Sequence, residues 1–195
     1  GRQWALTFVR TLGAARGPVS VHVVDAAPAG GAGGDPPRQL VAKRVVVPAV
    51  DDVEPLVDEA ATWRKASVAS PLVLELVDVF VDRSPDAPSI TFLSELATPR
   101  RAFKSSKKAA AAAPPALPAA AVAAVGRDVA AALLAMPGGS PHGNVAVDTV
   151  FLVGGGPKNT DATGAILGGF GPKRVAIGSS NAELTEADDV YDVGV

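Results

Sequence analysis

A polar loop, His142-Gly143-Asn144-Val145-Ala146-Val147-Asp148-Thr149, leads straight into an apolar strand, Val150-Phe151-Leu152-Val153. Farther on stands Gly169-Phe170-Gly171. Loops of this kind can present a base and metal ligands, and the residue types decide whether these do. An amide such as Asn144 is no useful base at neutral pH. Thr149 offers a neutral hydroxyl and Gly169 no side chain, so neither is a good ligand for a hard cation. Asp148 is adjacent, but its side chain should face elsewhere. The two histidines of the chain, His22 and His142, sit on different elements, which argues against a two-histidine metal centre. There are no cysteines, which excludes disulfides, thiolate metal sites and a cysteine nucleophile. No Ser-His-Asp set stands out. Gly154-Gly155-Gly156-Pro157-Lys158-Asn159-Thr160 lacks the G-x-x-x-x-G-K-[ST] spacing of a phosphate loop and reads as a hairpin tip.

The elements that must position these residues follow from hydrophobic pattern and turn chemistry. Residues 4–12, 19–24 and 39–47 read as three strands separated by Gly/Pro-rich turns. Asp51 and Asp52 precede a helix over 53–65, where acidic residues favour the positive end of the dipole and Pro55 is tolerated in the first turn. Ser70-Pro71 breaks the chain, and strands follow over 72–81 and 89–96. Residues 97–118 form a low-complexity linker or insertion whose basic part, 100–108, includes Arg100, Arg101, Lys104, Lys107 and Lys108. A helix over 119–136 carries Val122, Val125, Val129, Leu133 and Met136 at steps of three or four, one apolar stripe. Pro137-Gly138-Gly139-Ser140-Pro141 ends it and delivers His142. Residues 149–153 and 164–167 read as a short hairpin.

Five strands with a helix, a linker, a second helix and then the loop: this order resembles a protein-kinase domain. The loop at His142 resembles H-R-D-L-x-x-x-N, with Asn144 at the catalytic aspartate and Thr149 at the metal-binding asparagine. Gly169 falls at the aspartate of D-F-G. Gly13 and Gly17 are what remains of the glycine-rich loop, too few to cradle phosphates well. Leu40-Val41-Ala42-Lys43-Arg44 takes the place of the V-A-I-K strand. Lys43 is the preferred match to its lysine and Arg44 the alternative, since neighbours on a strand point to opposite faces. Glu59 is the candidate partner acid. Ser94-Glu95-Leu96 matches the strand end that joins the lobes, with Ser94 at the position gating an adenine pocket. Asn181-Ala182-Glu183 resembles A-P-E, and residues 189–195 the start of the helix after it.

Four segments narrow the likeness. Gly17-Pro18-Val19-Ser20-Val21, Ser94-Glu95-Leu96-Ala97-Thr98-Pro99, His142-Gly143-Asn144-Val145 with Val150-Phe151-Leu152, and Ile166-Leu167-Gly168-Gly169-Phe170 resemble the Scy-like pseudokinases. That family implies a non-catalytic scaffold in Golgi and vesicle-coat traffic or tRNA export, followed by helical repeats. Ala42-Lys43-Arg44-Val45 and its spacing to Glu59 also resemble the Numb-associated kinases, an active family linked to clathrin-coat adaptors. The expectation is an α+β, bilobal kinase-like fold, with a β-rich small lobe at 1–96 and a truncated, mainly helical large lobe at 97–195. No catalytic residue or metal is expected. A vestigial nucleotide pocket of Gly13, Gly17, Val41, Lys43, Ser94, Glu95 and Leu96 leaves room for weak, metal-independent ATP binding as a structural ligand. Protein partners are expected, among them vesicle coat components. A rival reading is an RNA-binding adaptor that holds tRNA through 100–108.

Composition agrees with a folded domain and says little about partners. Of the 195 residues 48% are hydrophobic but only 5% aromatic, so packing must lean on Val, Leu and Ala. A formal net charge of −2 gives no overall attraction to nucleic acid or anionic membranes. No apolar run approaches the roughly 20 residues that span a bilayer, and no signal layout opens the chain. A cytoplasmic protein, in the Scy-like case Golgi- or vesicle-associated, is the expectation.

Overall fold

The computed structural model describes residues 3–12, 18–29, 37–97, 117–146, 149–154 and 162–170. Among these described residues the architecture is α+β, with a main antiparallel sheet, two α-helices and a separate hairpin. The chain divides into two compact units, Gly1–Ala60 with Glu75–Leu96 and Ala61–Leu74 with Ala97–Val195.

The first unit is built on strands β1 (Trp4–Thr11), β2 (Val19–Pro28), β3 (Arg38–Val46), β4 (Leu76–Asp82) and β5 (Ser89–Glu95). They pair antiparallel in the order β1-β2-β3-β5-β4. One face carries a cluster of Val24, Ala26, Leu40, Ala42 and Leu93, against which Trp4, Val77 and Phe80 pack. Although β1 and β4 are opposite edges, the Trp4 indole N–H donates to Asp78 Oδ2 across 2.8 Å. Joining the two edges requires the sheet to coil around that cluster, an extreme of the twist that strands carry. The Arg38 guanidinium lies 5.9 Å from the Trp4 ring. Its exposed ion pair with Glu75, at 3.9 Å, adds little in high dielectric.

Helix α1 (Val53–Ala69) lies between β3 and β4 in sequence and starts where the acidic residues place it. The Ala49 N–H donates to Asp52 Oδ2 at 3.1 Å, which satisfies a donor in the turn that leads into the helix. Val53, Leu56, Ala60, Trp63 and Ala66 are buried at steps of three or four. The helix runs past residue 65 because Ala66-Ser67-Val68-Ala69 contains no breaker; the Ser70 N–H still donates to the Ala66 carbonyl, and Pro71 ends the run.

The strand expected over 72–81 is divided. Its first residues pair instead with the end of a distant strand: the Leu74 N–H donates to the Leu167 carbonyl at 2.9 Å, and the Leu167 N–H to the Leu72 carbonyl at 2.8 Å. This bridge is parallel and centred on Val73. The ladder with β5 begins only at Leu76.

In the second unit helix α2 (Ala119–Leu134) packs on the hairpin of β6 (Val150–Gly154) and β7 (Ala162–Leu167). Of the expected stripe Val129 and Met136 are buried, and Val125 and Leu133 pack against the clusters with the hairpin. Val122 is corrected: it is 54% exposed, and Ala121, Asp128 and Ala132 are buried as well. Small residues face the hairpin because helix and strand approach closely. Ala121 packs with Leu152 and Ala162, and Val129 with Val145 and Ala165. Asp128, the single carboxylate of α2, enters this apolar contact because Oδ2 accepts the buried Ala165 N–H at 3.0 Å. A Cβ at Gly164 would collide with that same oxygen.

Two stability measurements check these contacts. Trp4→Phe should lower the unfolding free energy by about 1–2 kcal/mol in denaturant titration, since the lost bond goes to a charged acceptor. Asp78→Asn, which keeps an acceptor, should cost less. Asp128→Ala should cost about 1–3 kcal/mol, because it leaves the buried Ala165 N–H unsatisfied; Asp128→Asn should recover part of that.

Candidate functional site

In the first unit the sequence-selected residues fall on β3, β5 and α1. Val41 stands directly opposite Ser94, and Lys43 opposite the fully buried Phe92. Strand alternation puts Val41, Lys43 and Val45 on one face and Arg44 on the other. Arg44 is exposed, and its Nε donates to Ser89 Oγ at 3.2 Å. Glu59 is buried on α1, and neither it nor Lys43 is without a partner. Ser94 is buried, with its hydroxyl donating to the Glu95 carbonyl at 3.3 Å, while Glu95 is exposed and Leu96 half-buried. Gly13 and Gly17 lie outside the described residues, as do the basic stretch 100–108, Asp148, Asn181-Ala182-Glu183 and 189–195.

The second unit brings Asn144, Thr149 and Gly169 into mutual contact. A turn closes first, with the Thr149 N–H donating to the Ala146 carbonyl at 2.9 Å. The Thr149 hydroxyl accepts from the Ala146 N–H at 2.9 Å and directs its one proton between the Asn144 and Ala146 carbonyls, each 2.9 Å away. The Gly168 N–H then donates to the Thr149 carbonyl at 2.8 Å. Asn144 Nδ2 donates to the Gly169 carbonyl at 2.6 Å. Gly169 sits at φ +86°, in the left-handed region, and any Cβ there would collide with the Thr149 side chain. Only glycine meets both conditions at low cost.

This packing decides what the cluster can do chemically. Asn144 is committed as a donor, the Thr149 hydroxyl is saturated by backbone groups, and Gly169 contributes a carbonyl already in use. These groups do not fit a magnesium site, which asks for several carboxylate or carbonyl oxygens with open lone pairs. Neither is there a side chain among the three that takes up a proton at neutral pH.

The residue after Gly169 carries the largest apolar surface of the cluster. Phe170 is 1% exposed, and its ring stacks on Trp63 with centroids 5.1 Å apart and planes 7° from parallel. The His142 ring meets Phe170 edge-on at 4.4 Å. Trp63 in turn donates its indole N–H to the Leu74 carbonyl at 2.6 Å. His142 is 2% exposed, and its Nδ1 faces the Asn144 N–H at 3.3 Å, so Nδ1 is the acceptor in this arrangement. Sequence reasoning assigned no partner to Trp63 or Phe170. The available signal was slight: a tryptophan on the apolar stripe of a helix, in a chain poor in aromatics.

Among the described residues no group of three or more His, Asp or Glu side chains gathers where it could hold a metal ion. Among them, too, no helix is long and apolar enough to cross a membrane. No protein-family model matches the chain, and no curated protein matches it in sequence.

Gly169→Ala tests the tightness of the cluster. Left-handed strain and the collision with Thr149 should together lower stability by roughly 2–6 kcal/mol, read as a fall in the denaturation midpoint at unchanged slope. A loss below about 0.5 kcal/mol would show that the segment is slack there.

Proposed function

We propose that the chain is a catalytically inactive, protein-kinase-like module, a pseudokinase that works by presenting surfaces to protein partners. The observation that carries the reading is the meeting of Asn144, Thr149 and Gly169. A kinase-like chain should gather these three positions from distant stretches, because phosphoryl transfer needs its base and metal ligands around one centre. Here they gather without a carboxylate among them, the Asn144 amide N–H and the Thr149 hydroxyl being used on backbone groups. The order of the first unit supports the same reading: five antiparallel strands, with α1 between β3 and β4, Lys43 on β3 and Glu59 on α1. The bilobal arrangement, the Scy-like affiliation and a role in vesicle or Golgi traffic belong to this proposal through the sequence resemblance.

Two measurements on purified protein test it. Incubation with labelled ATP, magnesium and generic acceptor proteins should give no transfer above a no-protein control. Saturable, magnesium-dependent transfer that survives further purification would overturn the reading. A thermal-shift titration with ATP, with and without magnesium, should show the same shift in both series, because no residue of the cluster supplies a metal ligand. A shift that requires magnesium would place a metal-assisted nucleotide site back in the chain.

A further inference from the structure

We propose that Asn144 is the catch of a conformational latch: by holding the Gly169 carbonyl, its side-chain amide keeps Phe170 seated between Trp63 and His142. Asn144 is on this account a positioning residue. The inference stands on the contacts within the second unit and does not depend on whether the chain is a pseudokinase.

The physical basis is the peptide plane between Gly169 and Phe170. The Gly169 carbonyl, the Phe170 N–H and the Phe170 Cα lie in one rigid plane, so holding the oxygen narrows the positions open to that Cα and to the ring it carries. The segment needs such a restraint. Gly168 and Gly169 are adjacent, and glycine populates both signs of φ with similar ease. A change of these backbone dihedrals that displaced the Phe170 Cα would carry the oxygen away and draw the ring from its stack. Asn144 Nδ2, 2.6 Å from the carbonyl, opposes that change on one side. The Gly168 N–H, bonded to the Thr149 carbonyl at 2.8 Å, anchors the Leu167–Gly168 peptide plane, two planes earlier.

The catch is itself braced. The Asn144 carbonyl is within 2.9 Å of the Thr149 hydroxyl, and the Asn144 N–H faces His142 Nδ1 at 3.3 Å. His142 is also the ring that meets Phe170 edge-on. Loop, turn and aromatic stack therefore form a closed circuit that runs from Asn144 through Gly169 and Phe170 to His142 and back. Trp63 meets this circuit at the Phe170 ring, so a change at Trp63 on altering Asn144 would report a displacement of the stack.

The chain has two tryptophans, Trp4 and Trp63, so a Trp4→Phe background isolates the emission of Trp63. In that background Asn144→Leu keeps the side-chain shape and removes the donor. The expected result is about tenfold faster hydrogen exchange at the Gly168 amide, together with a red shift and stronger acrylamide quenching of Trp63. Retained folding with both readouts unchanged would overturn the latch and leave Asn144 as filler. Should Asn144→Leu not fold, the wild-type protein decides. A through-bond coupling between the Asn144 side-chain amide nitrogen and the Gly169 carbonyl carbon, with slow exchange of that amide proton, supports the catch. An Asn144 side-chain amide exchanging at the solvent rate refutes it.

Discussion

The left-handed backbone at Gly169 is the constraint on which the second unit turns. It lets the chain pass beneath the Thr149 side chain at a separation no Cβ would allow, and it directs the next residue inward. Phe170 then supplies what the sparse aromatic content of the chain makes scarce, a large ring at the centre of a core. Burial of that ring contributes about 1.5–3 kcal/mol, and its stacking on Trp63 about 0.5–1.5 more. The Asn144–Gly169 hydrogen bond is worth about 0.5–1.5 kcal/mol net. Burial therefore drives the segment inward, and the hydrogen bond selects its direction.

The same trade of side-chain size for closeness recurs at the contact of α2 with β7. Alanines and glycine let helix and strand approach until a carboxylate, Asp128, can reach a strand N–H. A buried charge is costly unless its oxygens are satisfied. One oxygen of Asp128 takes the Ala165 N–H and the other takes the Arg127 guanidinium at 2.8 Å. In the first unit the equivalent polar fastening is Trp4 to Asp78, which sets how far the sheet coils. Both fastenings are hydrogen bonds between a side chain and a group far away in sequence. Both sit beside an apolar cluster that excludes competing water.

The loop at His142 has packing roles of its own. The Asn144 amide N–H and the Thr149 hydroxyl bond backbone carbonyls, and His142 lies against Phe170 rather than toward solvent. These residues thus have structural roles apart from any chemistry, and the amide at position 144 is used as a donor to a defined acceptor.

Much of the fold was legible in the residues alone. Asp51 and Asp52, Pro55 and Ser70-Pro71 mark the start and stop of α1, and the β-branched runs mark five strands, because caps, turns and periodicity act over a few residues. The absence of an ionisable group at 144, 149 and 169 was equally plain, since side-chain chemistry needs no coordinates. Other features were settled only by the folded chain. Residues 72–74 left their expected strand for Leu167, Val122 turned outward while Asp128 turned in, and Trp63 found Phe170. Each of these depends on which distant backbone group or ring arrives within hydrogen-bonding or van der Waals reach. Periodicity tells which face of an element is apolar. It does not tell how close the neighbouring element will come, and closeness decided between valine and alanine on α2 and admitted only glycine at 169.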